Sequence, residues 1–469
     1  MNRSAHLSLA PICALLAAAT AAVLLLPSSA PAVPTEPESA VVSGQETTTL
    51  STGQVAVAGE VLVAYESQTT PATIQIPEAA DPHLAAMNIE DSPKVRYATP
   101  NYIASTSNWL PNDPGVNPGR KGNRSGWRSK QWNFLPCLSL CNPLSRQSGP
   151  ESRGGMNVIR AWQHLRKIKR AGAAGVKIAV LDTGIAYRNK GQRFKRSPDF
   201  AADRFLPGYD FVDRDPYPLD QNGHGTHVAS TIGEQTDNKR ALTGIAYRAK
   251  LIPVRVMDAN GDGNTEDIAA GIRWAANHGA RVITMSLNFA CGVKVPPVEE
   301  ALMHAWRKGV VLVGSSGNRG NETCPSLPAT APEVISVGGS TEAGCVASYT
   351  FQSSEIDLAA PGGGTSRDCP FISRNRSIMQ LGMIARDPTW FGIEPGWIGT
   401  SMAAAHVAGA AASVIASGVL GKRTGPGRVT RRLIDTARLP AYAAGDPASG
   451  FGAGIINLGR ATNPKVKTS

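Results

Sequence analysis

Short apolar runs alternate with helical stretches through the later part of the chain. VKIAVLD (176–182), AKLIPVRVM (249–257), ARVITMSL (280–287), GVVLVGSS (309–316) and EVISVGG (333–339) are each nearly continuous in apolar residues. A strand with one wet face alternates apolar and polar positions, whereas an unbroken apolar run marks a strand covered on both faces. Amphipathic stretches at Glu266 to His278 and Val298 to Lys308 lie between the runs and complete β-α-β units. The pattern predicts an α/β fold, a doubly wound, mostly parallel sheet with helices on both faces. Binding sites on such sheets form beyond the carboxyl ends of the strands.

The rest of the chain reads differently. Residues 1–32 carry Arg3, an apolar stretch from Leu7 to Leu26 and the small-residue pattern Ala30-Pro31-Ala32, which predicts a secretory signal peptide. The stretch is also long enough to be a retained membrane anchor, and no later segment reads as long and apolar enough to span a bilayer. Residues 33–58 are rich in Pro, Thr and Ser and read as a linker. Residues 59–104 have strand-like ends, GEVLVAYE and KVRYATPNYI, around a short helix near His83 to Asn88, a small α+β unit. Residues 105–155 read as a loop-rich connector, 156–462 as the main domain and 463–469 as a tail.

At 469 residues and 42% hydrophobic content the chain can bury a large core. Its net charge of +11 is spread over RKGNRSGWRSK, RNKGQRFKR and GKRTGPGRVTRR, a solvated basic surface with no nucleic-acid module. Six cysteines follow the signal: Cys137, Cys141, Cys291, Cys324, Cys345 and Cys369. An even set in an exported chain predicts three disulfides, and nearness along the chain suggests 137–141, 291–324 and 345–369. No Cys-x-x-Cys knuckle is present to hold zinc.

Candidate chemistry sits at the ends of the apolar runs. Asp182 closes VKIAVLD and is followed by Thr-Gly, so it is either a turn aspartate or a carboxylate at the sheet's functional edge. NGHGTHVAS places His224 and His227 three apart at a helix entry. His227 reads as a hydrogen-bonded core residue and His224 as a general base, because imidazole titrates near neutrality. Asn318 lies in a glycine-flanked turn after GVVLVGSS, where a side-chain amide either stabilises the turn or stabilises an oxyanion. Ser401 begins the small-residue helix GTSMAAAHVAGAAA and is either its cap or a nucleophile.

Together DTGI, HGTHVAS, SSGN and GTSMAAAHVAGAAA resemble the four signature blocks of the subtilisin-like serine proteases, the subtilases, in the chain order Asp, His, Ser. The resemblance runs from about Gly155 to Ala461 and ends on FGAGIINLGRA. It implies Ser401 as nucleophile, His224 as general base and Asp182 as the orienting carboxylate. Asn318 and the Ser401 backbone N–H are then the oxyanion donors. It also implies that substrate adds as a strand between Gly261-Asp262-Gly263 and Ser286-Leu287-Asn288. Ser315-Ser316-Gly317 line the pocket for the residue before the cut. Asn288 stands where the family has glycine, and Ala405 where it has proline.

The resemblance further implies a zymogen, with residues 59–104 as a short inhibitory propeptide cut off between Tyr102 and Asp113. The partners are protein or peptide substrates and the chain's own propeptide, and the processed enzyme is a secreted monomer without stable membrane association, extracellular or periplasmic. No cofactor is needed for the chemistry. Structural calcium fits some family members, and Asp213, Asp215 and Asp220 are its candidates here. DANGDGNTED resembles the start of a calcium loop but has Ala269 where a bidentate Glu is required, so it reads as a substrate-edge hairpin. Two other functions share these residues: a dedicated processing protease or peptide cyclase, and a catalytically silent binding protein.

Overall fold

The computed structural model describes residues 40–42, 45–50, 55–102, 109–122, 125–138, 140–141, 150–320, 326–372, 374–421, 424–443 and 450–468. The expected signal peptide and Cys324 lie outside them. The chain forms two compact units, Met1–Ala104 and Ser105–Ser469.

The first unit is an antiparallel sheet of β1 (Ala40–Val42), β2 (Gln45–Thr49), β3 (Val55–Tyr65), β4 (Ala72–Gln75) and β5 (Val95–Tyr102), with α1 (Pro82–Glu90) between the last two. The helix starts where Asp81 accepts the His83 N–H at 2.8 Å and Pro82 presets the first turn. Val61, Val63 and Ala86 form its buried centre. The expected helix and both terminal strands are present, but the linker reading of 33–58 is corrected, since 40–42, 45–49 and 55–58 are strands. Thr-rich segments look polar in sequence, yet a β-branched residue suits a paired strand.

In the second unit the elements run α2 (Val158–Lys167), β6 (Lys177–Asp182), β7 (Tyr209–Asp210), α3 (His224–Gly233), β8 (Lys250–Arg255), α4 (Thr265–Asn277), β9 (Val282–Met285) and α5 (Pro296–Arg307). They continue with β10 (Val311–Ser315), β11 (Val334–Ser340), β12 (Leu358–Pro361), the hairpin β13 (Gln380–Met383) and β14 (Phe391–Glu394), α6 (Thr400–Ser417), α7 (Pro426–Asp435) and α8 (Leu458–Ala461). Seven strands make one sheet in the order β12-β11-β10-β9-β6-β8-β7, every pair parallel.

Successive strand residues point to opposite faces, which sorts the core into two layers. Ile178, Val180, Val311 and Val313 pack with the α3 and α6 side, and Ala179, Leu181, Ile283 and Leu312 pack with the α4 and α5 side. This double cover is why the runs are continuously apolar. Helix α6 lies in the first layer, and its small residues let neighbours close in: a Cβ at Gly409 would sit 2.9 Å from Ile245 Cβ. By length and composition α6 is apolar enough to cross a membrane, contrary to expectation, but 89% of it is buried inside the protein.

The segment 105–155 is more than a connector. Trp127, Trp132 and Phe134 are buried in the main core, with Trp127 and Phe134 both edge-on to Trp162 of α2. Asn133 Nδ2 donates to His406 Nε2 at 2.7 Å, which leaves Nδ1–H to donate to Met402 O and keeps this buried ring neutral. Burial holds its pKa down at about 4. Residues beyond 462 also pack, because buried Arg432 donates to the carbonyls of Asn463 and Val466.

The pairs Cys137–Cys141 and Cys345–Cys369 are disulfides, as expected. Cys291 is disulfide-bonded as well.

Candidate active site

Strand β6 delivers Asp182 to the carboxyl edge of the sheet, fully buried. Its Oδ1 accepts the Thr183 N–H at 2.8 Å and lies 2.7 Å from His224 Nδ1. A carboxylate only accepts, so Nδ1 carries the proton and Nε2 presents a lone pair. Nε2 has no hydrogen-bond partner among the described residues. Burial pulls the His224 pKa down, but the charge and hydrogen bond of Asp182, with Asp220 behind, outweigh it and leave the pKa raised.

His224 opens α3 because the loop before it is folded around one buried carboxylate. Asp220 Oδ1 accepts the N–H groups of Asn222 and Gly223 and the Thr183 hydroxyl, each at 2.9 Å. Its Oδ2 accepts the N–H and hydroxyl of Thr226 at 2.9 and 2.6 Å. An anion at a helix N-terminus is also favoured by the helix dipole. The helix then presses onto the end of β6, where a Cβ at Gly225 would meet Gly184 O at 2.2 Å and Asp182 Oδ1 at 3.0 Å.

Ser401 is the second residue of α6 and 8% exposed. In the parallel register of β6 and β9, Leu181 faces Met285, so Asp182 and Ser286 each come next at the carboxyl edge of the sheet. Ser286 in turn holds Ser401, its hydroxyl donating to Ser401 O at 3.1 Å. The Ser401 hydroxyl makes a long 3.5 Å bond to Ser286 O, and its bond to His224 is not formed among the described residues. Such links are often loose before substrate binds.

Asn318 follows β10 with its orientation set by donors. The Thr400 N–H and hydroxyl reach its Oδ1 at 2.8 and 3.0 Å, which leaves Nδ2 without a partner among the described residues. Gly399 has φ +148°, a conformation suited to glycine, and a Cβ there would sit 3.1 Å from that Nδ2. The Ser401 N–H, in the unpaired first turn of α6, is a second open donor.

The expected substrate edges flank this group. Gly261-Asp262-Gly263 belong to a turn closed by Asp258, whose Oδ1 accepts the N–H groups of Asn260 and Asp262 at 2.8 and 3.0 Å, and not to a metal loop. Ser286-Leu287-Asn288 continue β9 past its last residue, and Ser316-Gly317 carry β10 on from its final residue Ser315. His227, by contrast, is a core residue as read: it is buried, lies 3.1 Å from Ile378 O and stacks on Trp397, and burial lowers its pKa to about 3.

The sequence model of the subtilase family matches residues 173–454. The chain belongs to the subtilase family. It is 31% identical over 330 residues to the thermophilic serine proteinase of Bacillus sp. (strain AK1), an alignment covering 70% of this chain and 65% of that one. The chain thus spans just under two thirds of that relative's length. It is 34% identical over 274 residues to thermitase of Thermoactinomyces vulgaris, covering 58% and 84%. Among solved structures, a protease of Pseudoalteromonas arctica PAMC 21717 matches with a TM-score of 0.56 and 28% identity, over 76% of this chain and 99% of that one. The parallel sheet and its two helix layers are the subtilisin-like fold.

Two parts of this subtilase site escaped the sequence reading. Thr400 and Asp220 hold Asn318 and the His224 loop in place, and Asp220 was expected only as a calcium ligand. Asp213, Asp215 and Asp220, the candidate calcium ligands, each engage partners within the protein. Asp213 pairs with Arg255 at 2.6 Å and Asp215 with Lys190 at 3.4 Å, while Asp220 spends both oxygens on its loop. No group of three or more His, Cys, Asp or Glu side chains able to hold a metal occurs among the described residues.

A better oxygen cradle lies around the loop 235–242. Asp113 accepts the N–H groups of Asp237 and Asn238 at 2.8 and 3.1 Å. Asp199 Oδ1 accepts Asn238 Nδ2 at 2.6 Å, and its Oδ2 is buried without a partner among the described residues. Burial raises Asp113 to about 6 and Asp199 to about 7. The residues stand far apart in sequence, and only the NDP turn at Asn112 to Pro114 hints at them.

Proposed function

We propose that this chain is a secreted serine endopeptidase, made as a zymogen, that hydrolyses peptide bonds through an acyl-enzyme on Ser401. The observation that carries the reading is the Asp182–His224 pair at 2.7 Å beside a serine flanked by two open N–H donors. His224 Nε2 takes the hydroxyl proton as Ser401 Oγ attacks a peptide carbonyl. The oxyanion is received by Asn318 Nδ2 and the Ser401 N–H. His224 then protonates the leaving amine, and water repeats the sequence on the ester. Asp182 stays ionised and keeps the imidazole in the useful tautomer.

The remaining features of the reading follow from the same family. The signal peptide exports the chain, the 59–104 unit serves as an inhibitory propeptide, and proteins or peptides are the substrates. A structural calcium ion suits Asp199 beside the 235–242 loop, since its buried Oδ2, without a partner among the described residues, fits a hard cation that takes oxygen ligands. The ion would stabilise the fold and take no part in the chemistry.

One observation favours a second reading, a silent binding protein: the Ser401 hydroxyl reaches Ser286 O and not His224. A fluorophosphonate probe on the purified, processed protein separates the two, with Ser401→Ala as control. Label on Ser401 alone is the expected result. No label on folded, propeptide-free protein gives the second reading the lead.

A further inference from the structure

The residue that departs from the family pattern, Asn288, lies where a substrate side chain has to pass. Strands β9 and β10 are parallel neighbours with Met285 facing Gly314, and beyond that register they run on as 286–288 and 315–317. The Ser286 hydroxyl holds Ser401 O at 3.1 Å, and the Gly317 N–H holds the Thr400 hydroxyl at 3.1 Å. The gap between the two segments therefore opens beside Ser401 and Asn318. With a carbonyl on Ser401 and its oxygen on the two donors, the side chain of the residue that owns the carbonyl enters this gap. The inference rests on the reading of Ser401 as nucleophile.

A crossbar spans the gap. Asn288 Nδ2 donates to Ser315 O at 2.6 Å, and the Ser315 hydroxyl donates back to Asn288 Oδ1 at 3.1 Å. Both ends of one amide are bound to one residue of the opposite wall, so the side chain is fixed across the opening. Ser315 is fully buried and Asn288 is exposed, so the amide lies over the floor from the solvent side.

We propose that Asn288 is a specificity-determining residue that shortens this recess, so that the protein cleaves after glycine, alanine or serine and discriminates against phenylalanine, tyrosine and leucine. An aromatic ring enters only if the amide swings out. That motion breaks both hydrogen bonds and leaves the Ser315 carbonyl and hydroxyl unpaired beneath an apolar group. Sites that strand buried polar groups in this way discriminate strongly, here on the order of 100-fold in kcat/KM.

The test uses the purified, processed protein, titrated with a fluorophosphonate to count active serines, and two peptide substrates that differ only in alanine or phenylalanine before the cut. The wild type should prefer alanine about 100-fold. Asn288→Gly and Asn288→Ser should bring the ratio to about 1 or below, chiefly by raising the rate on phenylalanine. Asn288→Asp keeps the size but cannot donate to Ser315 O, so it should also relax the preference if the crossbar matters and retain it if bulk alone does. A wild-type preference for phenylalanine, or a ratio unchanged in the glycine and serine variants at full titration, overturns the proposal. Absence of any titratable serine overturns the catalytic reading beneath it instead.

Discussion

Thr400→Val exchanges one buried hydroxyl for a methyl of nearly the same shape, directly before the proposed nucleophile. The hydroxyl donates to Asn318 Oδ1 at 3.0 Å and accepts the Gly317 N–H at 3.1 Å. Valine leaves that N–H unpaired in a buried turn, at a cost of about 1–3 kcal/mol. For a domain of this size that lowers Tm by about 1–4 °C. The effect on Asn318 is separate. Its amide keeps the bond from the Thr400 backbone N–H and loses a second anchor of about 1 kcal/mol, which corresponds to a roughly 5- to 10-fold fall in kcat. KM should barely move, because the freed amide acts on charge that develops only in the transition state.

The assay is a double-mutant cycle with Asn318→Ala, in which kcat and KM are measured on titrated enzyme. Asn318→Ala alone should lower kcat by about 10²–10³. In that background Thr400→Val should change kcat by less than about 2-fold, because no amide remains to be held. A full, additive loss in both backgrounds would refute the argument and place the hydroxyl's effect elsewhere.

Four more outcomes follow from the same geometry. Asp182→Asn should lower kcat by about 10⁴ with little change in KM, because an amide can donate to Nδ1 and so favour the wrong tautomer; a loss below tenfold contradicts this. The proposed base works unprotonated and its pKa is raised, so kcat/KM should rise with pH through a value above the ordinary histidine pKa and be lost as pH falls through it. Asp220→Asn removes part of that upward pull and should move the limb to lower pH, and an unmoved limb would count against the coupling. Calcium chelation should lower the Tm of the wild type, and Asp199→Ala should abolish the response; equal responses in both would exclude the 235–242 loop as the site.

The sequence by itself determined the parts of this protein that depend on neighbours along the chain. An unbroken apolar run dictates a strand covered on both faces, which is why the five runs became β6, β8, β9, β10 and β11. Asp182, His224, Asn318 and Ser401 were legible because each stands at a strand end or helix start, punctuated by glycine. His227, three residues further into α3, was legible as a core residue.

What the tertiary structure decided involves partners distant in sequence. Asp220 meets Thr183 across the sheet edge, Thr400 meets Asn318, Asn288 meets Ser315, and Asp113 meets the loop that Asp199 also faces. Nothing in local propensity distinguishes a carboxylate that folds a loop from one that binds an ion. Likewise, the polar threonines at 47–49 became a strand because β3 lay beside them, and the tryptophans of 105–155 entered the core because α2 left room for their rings. Hydrogen-bond partners and packing volume are properties of the assembled chain, so they emerge only once the sheet has brought its edges together.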